Sequence, residues 1–565
     1  MVAARSSDEQ PAKQVHAVRE HLLDWGQGRT SSIRLWRHMH ALQKDGSGCP
    51  AVERINYIAA HRDDANAHRG MKHLMFDFVG LSSYITHIPG GGSISHVLLP
   101  SDFFRLAFSN NREQWKMIFG ADSRGLVAFW QGLFSSERGK LFRSKHWFLR
   151  DKSAEDLRFH IPCTMHEDGA PFAKRSGANC VNWAPLLGKG SDIESRFPYH
   201  FYVKGHGQKV LESQESWAAF FDDWDRMALG LDSSGEPLVV DDDGNIWSPV
   251  MLFSKADSEK RVEWGMKSYN THEMCPDCVA NHGDDFPYTD LRDTASWKPS
   301  SEMNNEDWCD RNQSDHPIQS SRYWSKYFCP IDIMHCLDLH GVTAVFIASI
   351  YRSLLKLQVL GRNMQARLDA LNGELKEWQR NHVVSSKMPP LRLSNIVLHG
   401  WSELNGPLVK AANTRCLSPF AELLAGKYLN DTSNHAHIAA NRAICALNGL
   451  YHVLWNAGIF LSDAEKQQVH FHVAAMAKYH MLSRQYSREA NVCSWQIKPK
   501  SHYAQHIPDL ASMINPRFVM NYKEESFMHR IVCIVRGSCS GPYHKRVQEI
   551  VFITYLTQIA MILDL

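Results

Sequence analysis

Two aspartates stand directly after short runs that read as β-strands. Asp168 follows the apolar run 159–165, and Asp257 follows the run 249–253. Carboxylate oxygens are the hard ligands that Mg²⁺ prefers. Enzymes that transfer phosphoryl groups with two metal ions gather such carboxylates around cations about 3.5–4 Å apart. Asp168 and Asp257 are therefore candidate metal ligands.

A third acid is needed, and the segment that begins near Tyr522 reads as a helix opening with Glu524 and Glu525. Either glutamate fits the third position. Each acid also has an ordinary structural explanation. An aspartate before glycine is common in turns, and one before a helix is a common N-cap. Glutamates in a first helical turn interact favourably with the helix dipole without any metal.

The elements around these acids follow a recognisable order. Runs with strand-like alternation cover 159–165, 178–187 and 195–205, a helical face of aromatic residues covers 215–230, and a final strand covers 249–253. Strand, strand, strand, helix and strand, with acids after the first and last strands, predict an α/β fold. We expect a ribonuclease-H-like mixed sheet core, in which two acids come from adjacent strands and one from a later helix.

The remaining segments give the domain prediction. Residues 1–157 read as an N-terminal helical region and 158–262 as the first part of the core. Residues 263–497 read as a large, mostly helical insertion, with helical patterns at 342–360, 364–380, 436–455 and 463–482. Residues 498–565 read as the C-terminal helical part of the core.

Composition limits the function classes. The 565 residues are 44% hydrophobic, which predicts a folded protein of several domains. The net charge of +2 gives no overall basic field, so any contact with DNA needs a local patch. The cations near the third acid are Arg530, Arg536, Lys545 and Arg546, which form either such a DNA-facing patch or an ordinary charged surface.

The same counts indicate the compartment. Thirteen scattered cysteines favour a reducing environment over a disulfide framework. The N-terminus lacks the apolar core of a secretory signal, and the most apolar run, 342–350, is about half a membrane span. We expect a nuclear or cytoplasmic protein that is not secreted and has no membrane partner.

Cysteine spacing suggests a second metal. Cys275 and Cys278 form a Cys-x-x-Cys pair, which presents two thiolates to Zn²⁺ from one turn. No second such pair follows, so the other ligands are open, and two plain loop thiols are the alternative. His502 and His506 share a helix face beside Lys498 and Lys500, and we predict an ordinary solvated face there.

Four motifs together resemble the CACTA/EnSpm-like superfamily of cut-and-paste DDE transposases. HEDGAPFAKRSGANCVNWAPLL resembles its first catalytic block, and ADSEKRVEWGMKSYNTHEMCPDC resembles the second, with an Asp about twenty residues before Cys-x-x-Cys. IDIMHCLDLHGV resembles its Met-His block, and KEESFMHRIVCIVRG resembles the late block that carries a Glu. Cys336 and Leu337 follow His335 where the family usually has Glu and Asn.

The resemblance implies a function and a ligand set. It implies Asp168, Asp257 and Glu525 as the acidic triad, holding two Mg²⁺ or Mn²⁺ ions that cleave DNA and transfer its strands. It implies a nuclear protein that acts as a homodimer or higher oligomer. It also implies His335 as a third ligand of a structural Zn²⁺, and leaves the fourth open among His272, His282, Cys309 and Cys329.

Two alternatives remain at this point. The chain is a truncated or decayed, catalytically inactive copy that acts as a transposase-derived DNA-binding or scaffold protein, or it is a different nuclease with the same core.

Overall fold

A computed structural model describes residues 84–538, apart from 91–92, 174–175, 205–213, 385–387, 397–399 and 407–409. It also describes Arg37, Met39, His40, Gln548, 551–552, 554–556 and Ile559. The chain divides into two compact units. Unit 1 comprises residues 1–126, 158–252 and 524–565, and unit 2 comprises 127–157 and 253–523.

Unit 1 is built on a six-stranded mixed sheet. The strands are β1 (Ile85–Gly90), β2 (Ser93–Leu98), β3 (His160–Ala173), β4 (Ser176–Pro185), β5 (Phe197–Lys204) and β6 (Ser248–Ala256). Their order is β1-β2-β5-β4-β3-β6. The first four neighbouring pairs are antiparallel, so the one parallel pair of the sheet is β3 with β6.

Register in the centre of the sheet is set by the long hairpin of β3 and β4. Asp168 is opposite Cys180, and Met165 is opposite Trp183. Every residue of β6 is buried, as expected for a strand with no solvated face.

Unit 1 also contains helices. They are α1 (Pro100–Asn110), α2 (Arg112–Phe119), the start of α3 (Ser123–Ser135) and α5 (Gln214–Ala228). Between α3 and α5 in the chain lies α4 (Glu137–Lys145), which belongs to unit 2. After unit 2 comes α16 (Tyr522–Ser538), which returns to unit 1 at Glu524.

Aromatic side chains fill the space between sheet and helices. The Trp183 ring lies 4.8 Å from Phe197 and 5.5 Å from Trp224 of α5. Phe103 of α1 lies 4.4 Å from Phe197. The two helices are also joined by a polar contact, because Ser101 donates its backbone N–H (2.9 Å) and its hydroxyl (2.6 Å) to the buried carboxylate of Asp223. That carboxylate satisfies a backbone donor in the first turn of α1.

The last part of the chain also packs onto the sheet. Phe552 contacts Phe201 of β5 at 4.8 Å, and the Tyr555 hydroxyl donates to the carbonyl of Arg196. Segments separated by more than three hundred residues therefore build one core.

Unit 2 is mostly helical. Its further helices are α6 (Ser258–Glu263), α7 (Asn305–Arg311), α8 (Ile333–Leu337), α9 (Val342–Leu354), α10 (Met364–Asn381), α11 (Ala411–Tyr428), α12 (His435–Asn456), α13 (Asp463–Glu489), α14 (Pro499–Tyr503) and α15 (Ile507–Ala511). Within the described residues, the stretch Ile333–Leu354 is long and apolar enough to cross a membrane, and 83% of its most apolar window is buried inside the protein.

The mixed α/β class and the predicted order of strand, strand, strand, helix and strand are confirmed by β3, β4, β5, α5 and β6. The predicted helices after residue 342 are also present, with ends that differ by up to seven residues.

Two expectations about unit 1 were wrong. Residues 85–98, predicted as part of a helical region, form the hairpin β1–β2 and extend the sheet. Asp168 does not follow its strand but lies within β3, because the strand continues to Ala173. Before β1, the predicted N-terminal helical region is described only at Arg37, Met39 and His40, which are helical.

Candidate metal centre

Four potential metal ligands meet in unit 2. The Sγ atoms of Cys275 and Cys278 and one ring nitrogen each of His502 and His506 all lie within 4.8 Å of one another. All four side chains are buried. Within the described part of the chain, no other set of three or more His, Cys, Asp or Glu ligand atoms meets that distance. A buried Cys₂His₂ cluster of this kind suits a metal such as zinc.

The separations agree with tetrahedral coordination. Zn–S bonds of about 2.3 Å and Zn–N bonds of about 2.05 Å place S and N ligands about 3.6 Å apart and two N ligands about 3.3 Å apart. Cys278 Sγ lies 3.2 Å from His502 Nε2, and Cys275 Sγ lies 3.5 Å from His506 Nε2. The two Nε2 atoms are 3.4 Å apart. The four ligands would form a closed, structural zinc site.

Helix α7 holds the cysteine loop in place. The Trp308 indole donates to the Asp277 carboxylate at 3.1 Å, and the Asn312 amide donates to the Pro276 carbonyl at 3.2 Å. Trp308 is fully buried, so this loop cannot turn its cysteines away from the cluster without breaking a packed contact.

The histidines come from one helical face. His502 lies in α14, and His506 ends the 3₁₀ turn Ala504–His506 that follows, so their spacing of four residues stacks the rings on the same side. The Trp297 ring packs edge-on against His502 at 4.3 Å. His506 Nδ1 lies 3.6 Å from the Asp509 carboxylate. A carboxylate behind a ligating histidine fixes the ring orientation and raises its basicity.

Burial and charge set the protonation of the cluster. Burial raises the pKa of Cys275 to about 11. Burial opposes protonation of His506, but the neighbouring Cys275 and Asp509 outweigh it and raise the His506 pKa to about 10. Without an ion the buried Cys275 thiol therefore holds its proton near neutral pH, and a bound metal must displace it.

Metal affinity is expected to fall as the pH falls. The Cys275 pKa of about 11 means that this ligand gives up a proton when the ion binds. Titrating the chain with zinc at pH 8 and at pH 6 should give a weaker apparent affinity at pH 6. Equal affinities at the two values would show that the ion is bound elsewhere.

The histidines that belong to this centre are not the ones that were predicted as ligands. His502 and His506, predicted on a solvated face, are buried and complete the cysteine pair. His335 is not part of the cluster, since its Nδ1 is bonded to the Asp332 carboxylate, which also accepts from the Asn521 amide at 2.9 Å. The other suggested ligands, His272, His282, Cys309 and Cys329, also lie outside the cluster.

Asp168, the first acid of the predicted triad, has local hydrogen bonds. Asp168 is buried in β3, and its Oδ1 accepts from the Gly169 N–H at 2.7 Å. Its neighbour Glu167 accepts from the Tyr202 hydroxyl at 2.8 Å on the buried face of the sheet.

The second aspartate belongs to unit 2. Asp257 is the first residue after β6 and caps α6, with its side chain accepting from the Lys260 N–H at 2.8 Å. Burial raises the pKa of Asp257. The charge of Asp332 also raises this pKa, whereas the charge of His335 lowers it.

The two glutamates of α16 differ in environment. Glu524 is almost fully buried and forms an ion pair with Arg196 at 3.1 Å, whereas Glu525 is half-buried. Glu524 is thereby engaged in the packing of unit 1. Asp168, Asp257 and Glu525 do not form a cluster of the kind that the cysteines and histidines form. The predicted Mg²⁺ site stays a prediction.

Breaking the Glu524 ion pair should destabilise unit 1. Arg196→Met keeps a long apolar stem but leaves the buried Glu524 carboxylate without its cation, which typically costs about 3–5 kcal/mol. Chemical denaturation should show this loss. Arg530→Met is a matched control, because Arg530 meets Asp192 at the surface and should cost under about 1 kcal/mol. Equal, small effects of the two changes would contradict the importance of the buried pair.

The predicted DNA-contacting cations are only partly described. Arg530 and Arg536 are exposed on α16. Lys545 and Arg546 lie outside the described residues.

Neither a search of protein-family models nor one of curated proteins finds a match to this sequence.

The ligands that were missed left a weak signal in the sequence. His502 and His506 stand four residues apart, as zinc-binding histidines often do, but 224 residues separate His502 from Cys278. Sequence spacing alone does not connect two halves of a site over that distance.

Proposed function

We propose that this chain is a transposase-like enzyme that cleaves DNA and transfers its strands by two-metal phosphoryl transfer. The proposal includes a ribonuclease-H-like core, with Asp168, Asp257 and Glu525 as ligands of two Mg²⁺ or Mn²⁺ ions. It also includes action in the nucleus by a homodimer or higher oligomer, since two DNA ends must be processed together.

The strand order carries the proposal. Strand β3, which contains Asp168, is the neighbour of β6, after which Asp257 is the first residue. The Ser248 N–H donates to the Phe159 carbonyl where the two strands begin. Both acids lie nine residues beyond that bond, since 168 − 159 and 257 − 248 are both 9. In a parallel pair an N–H bonds the carbonyl of the residue before its register partner, so this bond places Ser248 beside His160 and Asp257 one residue out of register with Asp168.

The third acid of the proposal is Glu525 of α16, the glutamate that the resemblance implies. Its neighbour Glu524 is bound to Arg196 within unit 1. A later helix that supplies the third carboxylate is the arrangement expected of a ribonuclease-H-like core, and α16 follows the large helical insertion that the sequence predicts.

The chemistry follows from the metal pair. One ion would lower the pKa of a water that attacks the phosphodiester phosphorus, and the other would stabilise the departing 3′-oxygen. The freed 3′-hydroxyl then attacks a phosphodiester of the target DNA in the same way. One P–O bond forms and one breaks in each step, so no energy source besides DNA is needed.

The test uses the full chain with supercoiled plasmid and a short labelled duplex with free 3′-hydroxyls. The proposal expects nicking and joining of the labelled duplex to the plasmid with Mg²⁺ or Mn²⁺, and neither with Ca²⁺. Nicking without joining would favour a nuclease. Absence of both reactions from zinc-loaded, folded protein would contradict the enzymatic proposal.

A second function has an observation in its favour. Asp168 and Asp257 both make the local bonds that purely structural aspartates make, to Gly169 and to the first turn of α6. These bonds favour a catalytically inactive, transposase-derived DNA-binding or scaffold protein. Such a protein would bind plasmid in a gel-shift assay without cutting it under any metal condition.

A further inference from the structure

A cavity of about 530 Å³ opens between α12, α13 and the loop at 291–293 of unit 2. Small side chains form part of its wall, namely Ala446 of α12 with Ala474 and Ala475 of α13. Leu291, Phe471, Tyr479 and Met481 line the remainder with apolar surface. The volume falls within the range of sites for small organic molecules, about 300–1,000 Å³.

One aromatic ring of this cavity is open to solvent. The Phe471 side chain is 67% exposed, although it lines the cavity. On a helix that packs against its neighbour, a large apolar side chain normally faces the core, because burial stabilises it by about 1.5–3 kcal/mol. The exposed ring of Phe471 offers a flat apolar face on which another ring can stack.

The charges at the rim are not balanced. The lining acid Asp293 is paired with Lys298 at 3.5 Å, and the lining cation Arg292 is paired with Asp290 at 2.6 Å. Arg442 and Lys478 also line the cavity, and among the described residues no ion pair joins either of them to a carboxylate. Lys478 instead lies 5.6 Å from the Tyr479 ring centre. The cavity therefore combines an apolar interior with two cations that form no ion pair within the described residues.

We propose that this cavity binds one unpaired nucleotide of single-stranded or locally opened DNA. The base would stack on Phe471 over the alanines, and the phosphate would lie between Arg442 and Lys478. Base stacking on aromatic side chains combined with cations along the backbone is the general mode of single-strand binding. An apolar side chain from a protein partner would leave both cations without a counter-charge.

The inference rests on the proposed action on DNA, which it deepens by naming the form of DNA that unit 2 recognises. Its assay requires binding but no cleavage. Loss of cleavage with intact nucleotide binding, and the reverse, therefore distinguish failure of the one proposal from failure of the other.

The probe is a fluorescein-labelled twelve-nucleotide oligothymidylate with one central 5-iodouracil, measured without Mg²⁺. Phe471→Ala and Ala475→Leu, which remove the stacking face and fill the cavity, should each raise the Kd about tenfold or more. Lys478→Gln should raise it several-fold and reduce its salt dependence. Irradiation should crosslink the iodouracil within residues 467–478, the tryptic peptide that contains Phe471.

Matched controls lie on exposed positions of unit 2 outside the cavity lining. Ala464→Leu is the same change at an exposed site on α13, and Lys376→Gln removes an exposed charge from α10. Both should bind the oligonucleotide as the unchanged protein does. Zinc content and Tm show that each variant is folded, and Phe471→Ala keeps the test available if the larger side chain introduced by Ala475→Leu prevents folding.

Three results would overturn the proposal. These are wild-type affinity in both Phe471→Ala and Ala475→Leu, a crosslink confined to peptides outside the cavity, or equal losses in the control variants. A change of oligomeric state in Phe471→Ala with unchanged DNA binding would assign the cavity to a second copy of the chain and would also overturn it.

Discussion

Removal of the metal from the Cys275, Cys278, His502 and His506 cluster is expected to lower the Tm of the protein by about 10–20 °C. The centre closes a loop of 224 residues between Cys278 and His502. In the chain-entropy model used for disulfides, a cross-link over such a loop stabilises the folded state by about 5 kcal/mol. For a unit of this size each kcal/mol corresponds to about 2–4 °C.

Cys275→Ser tests this expectation, because it changes a single ligand atom and little volume. Calorimetry should show the lowered Tm, and elemental analysis should show about one zinc per unchanged chain and much less in the variant. Cys309→Ser is the matched control, since Cys309 is half-buried, lies in the same unit and is outside the cluster. A Tm that is insensitive both to Cys275→Ser and to a zinc chelator would show that no metal stabilises this fold.

Replacement of one acid of the proposed triad is expected to reduce metal-dependent DNA cleavage by at least about 1,000-fold, or about 4 kcal/mol of activation free energy. Asp168→Asn, Asp257→Asn and Glu525→Gln each remove a negative charge and keep the size of the side chain. Asparagine caps helices about as well as aspartate, so Asp257→Asn should retain the start of α6 and its stability. Plasmid nicking with Mn²⁺ measures the effect.

Two further variants separate chemistry from folding. Asp310→Asn removes an exposed carboxylate of α7 and should cleave as the unchanged protein does. Glu524→Gln should lower stability through loss of the Arg196 ion pair, but retain cleavage once folded. If the three triad variants cleave at the rate of Asp310→Asn, these acids have only structural roles. Selective loss in Glu524→Gln would exchange the roles of the two glutamates.

The local patterns of this chain predicted most of its elements because they depend on neighbours in sequence. The aromatic face of α5 and the alternation in β4 and β5 identify these elements directly. The end of β3 was missed because Asp168 and Gly169 have turn-forming chemistry, and the pairing with β4 outweighs it. The hairpin β1–β2 was missed because its second strand, β2, joins β5, a neighbour about one hundred residues later.

The candidate metal centre was also predicted only in part, because its ligands come from distant parts of the sequence. The Cys-x-x-Cys pair was apparent since both ligands belong to one turn. Its histidines were assigned to a solvated face because Lys498 and Lys500 stand beside them, yet Lys500 is itself half-buried and donates to the Leu339 carbonyl at 2.7 Å. A charged residue beside a histidine therefore did not indicate exposure. The burial of the two histidines is determined by the packing of Trp297 and of the cysteine loop around them.

The division of unit 1 into distant segments has a consequence for biosynthesis. Translation completes β6 at residue 256, but Glu524, Phe552 and Tyr555, which pack beside Arg196 and Phe201, emerge at least 268 residues later. At about 5–20 residues per second this interval lasts roughly 13–54 seconds. During that time the ribosome-bound chain presents an incompletely covered sheet, and nascent-chain chaperones have a defined period in which to protect it from aggregation.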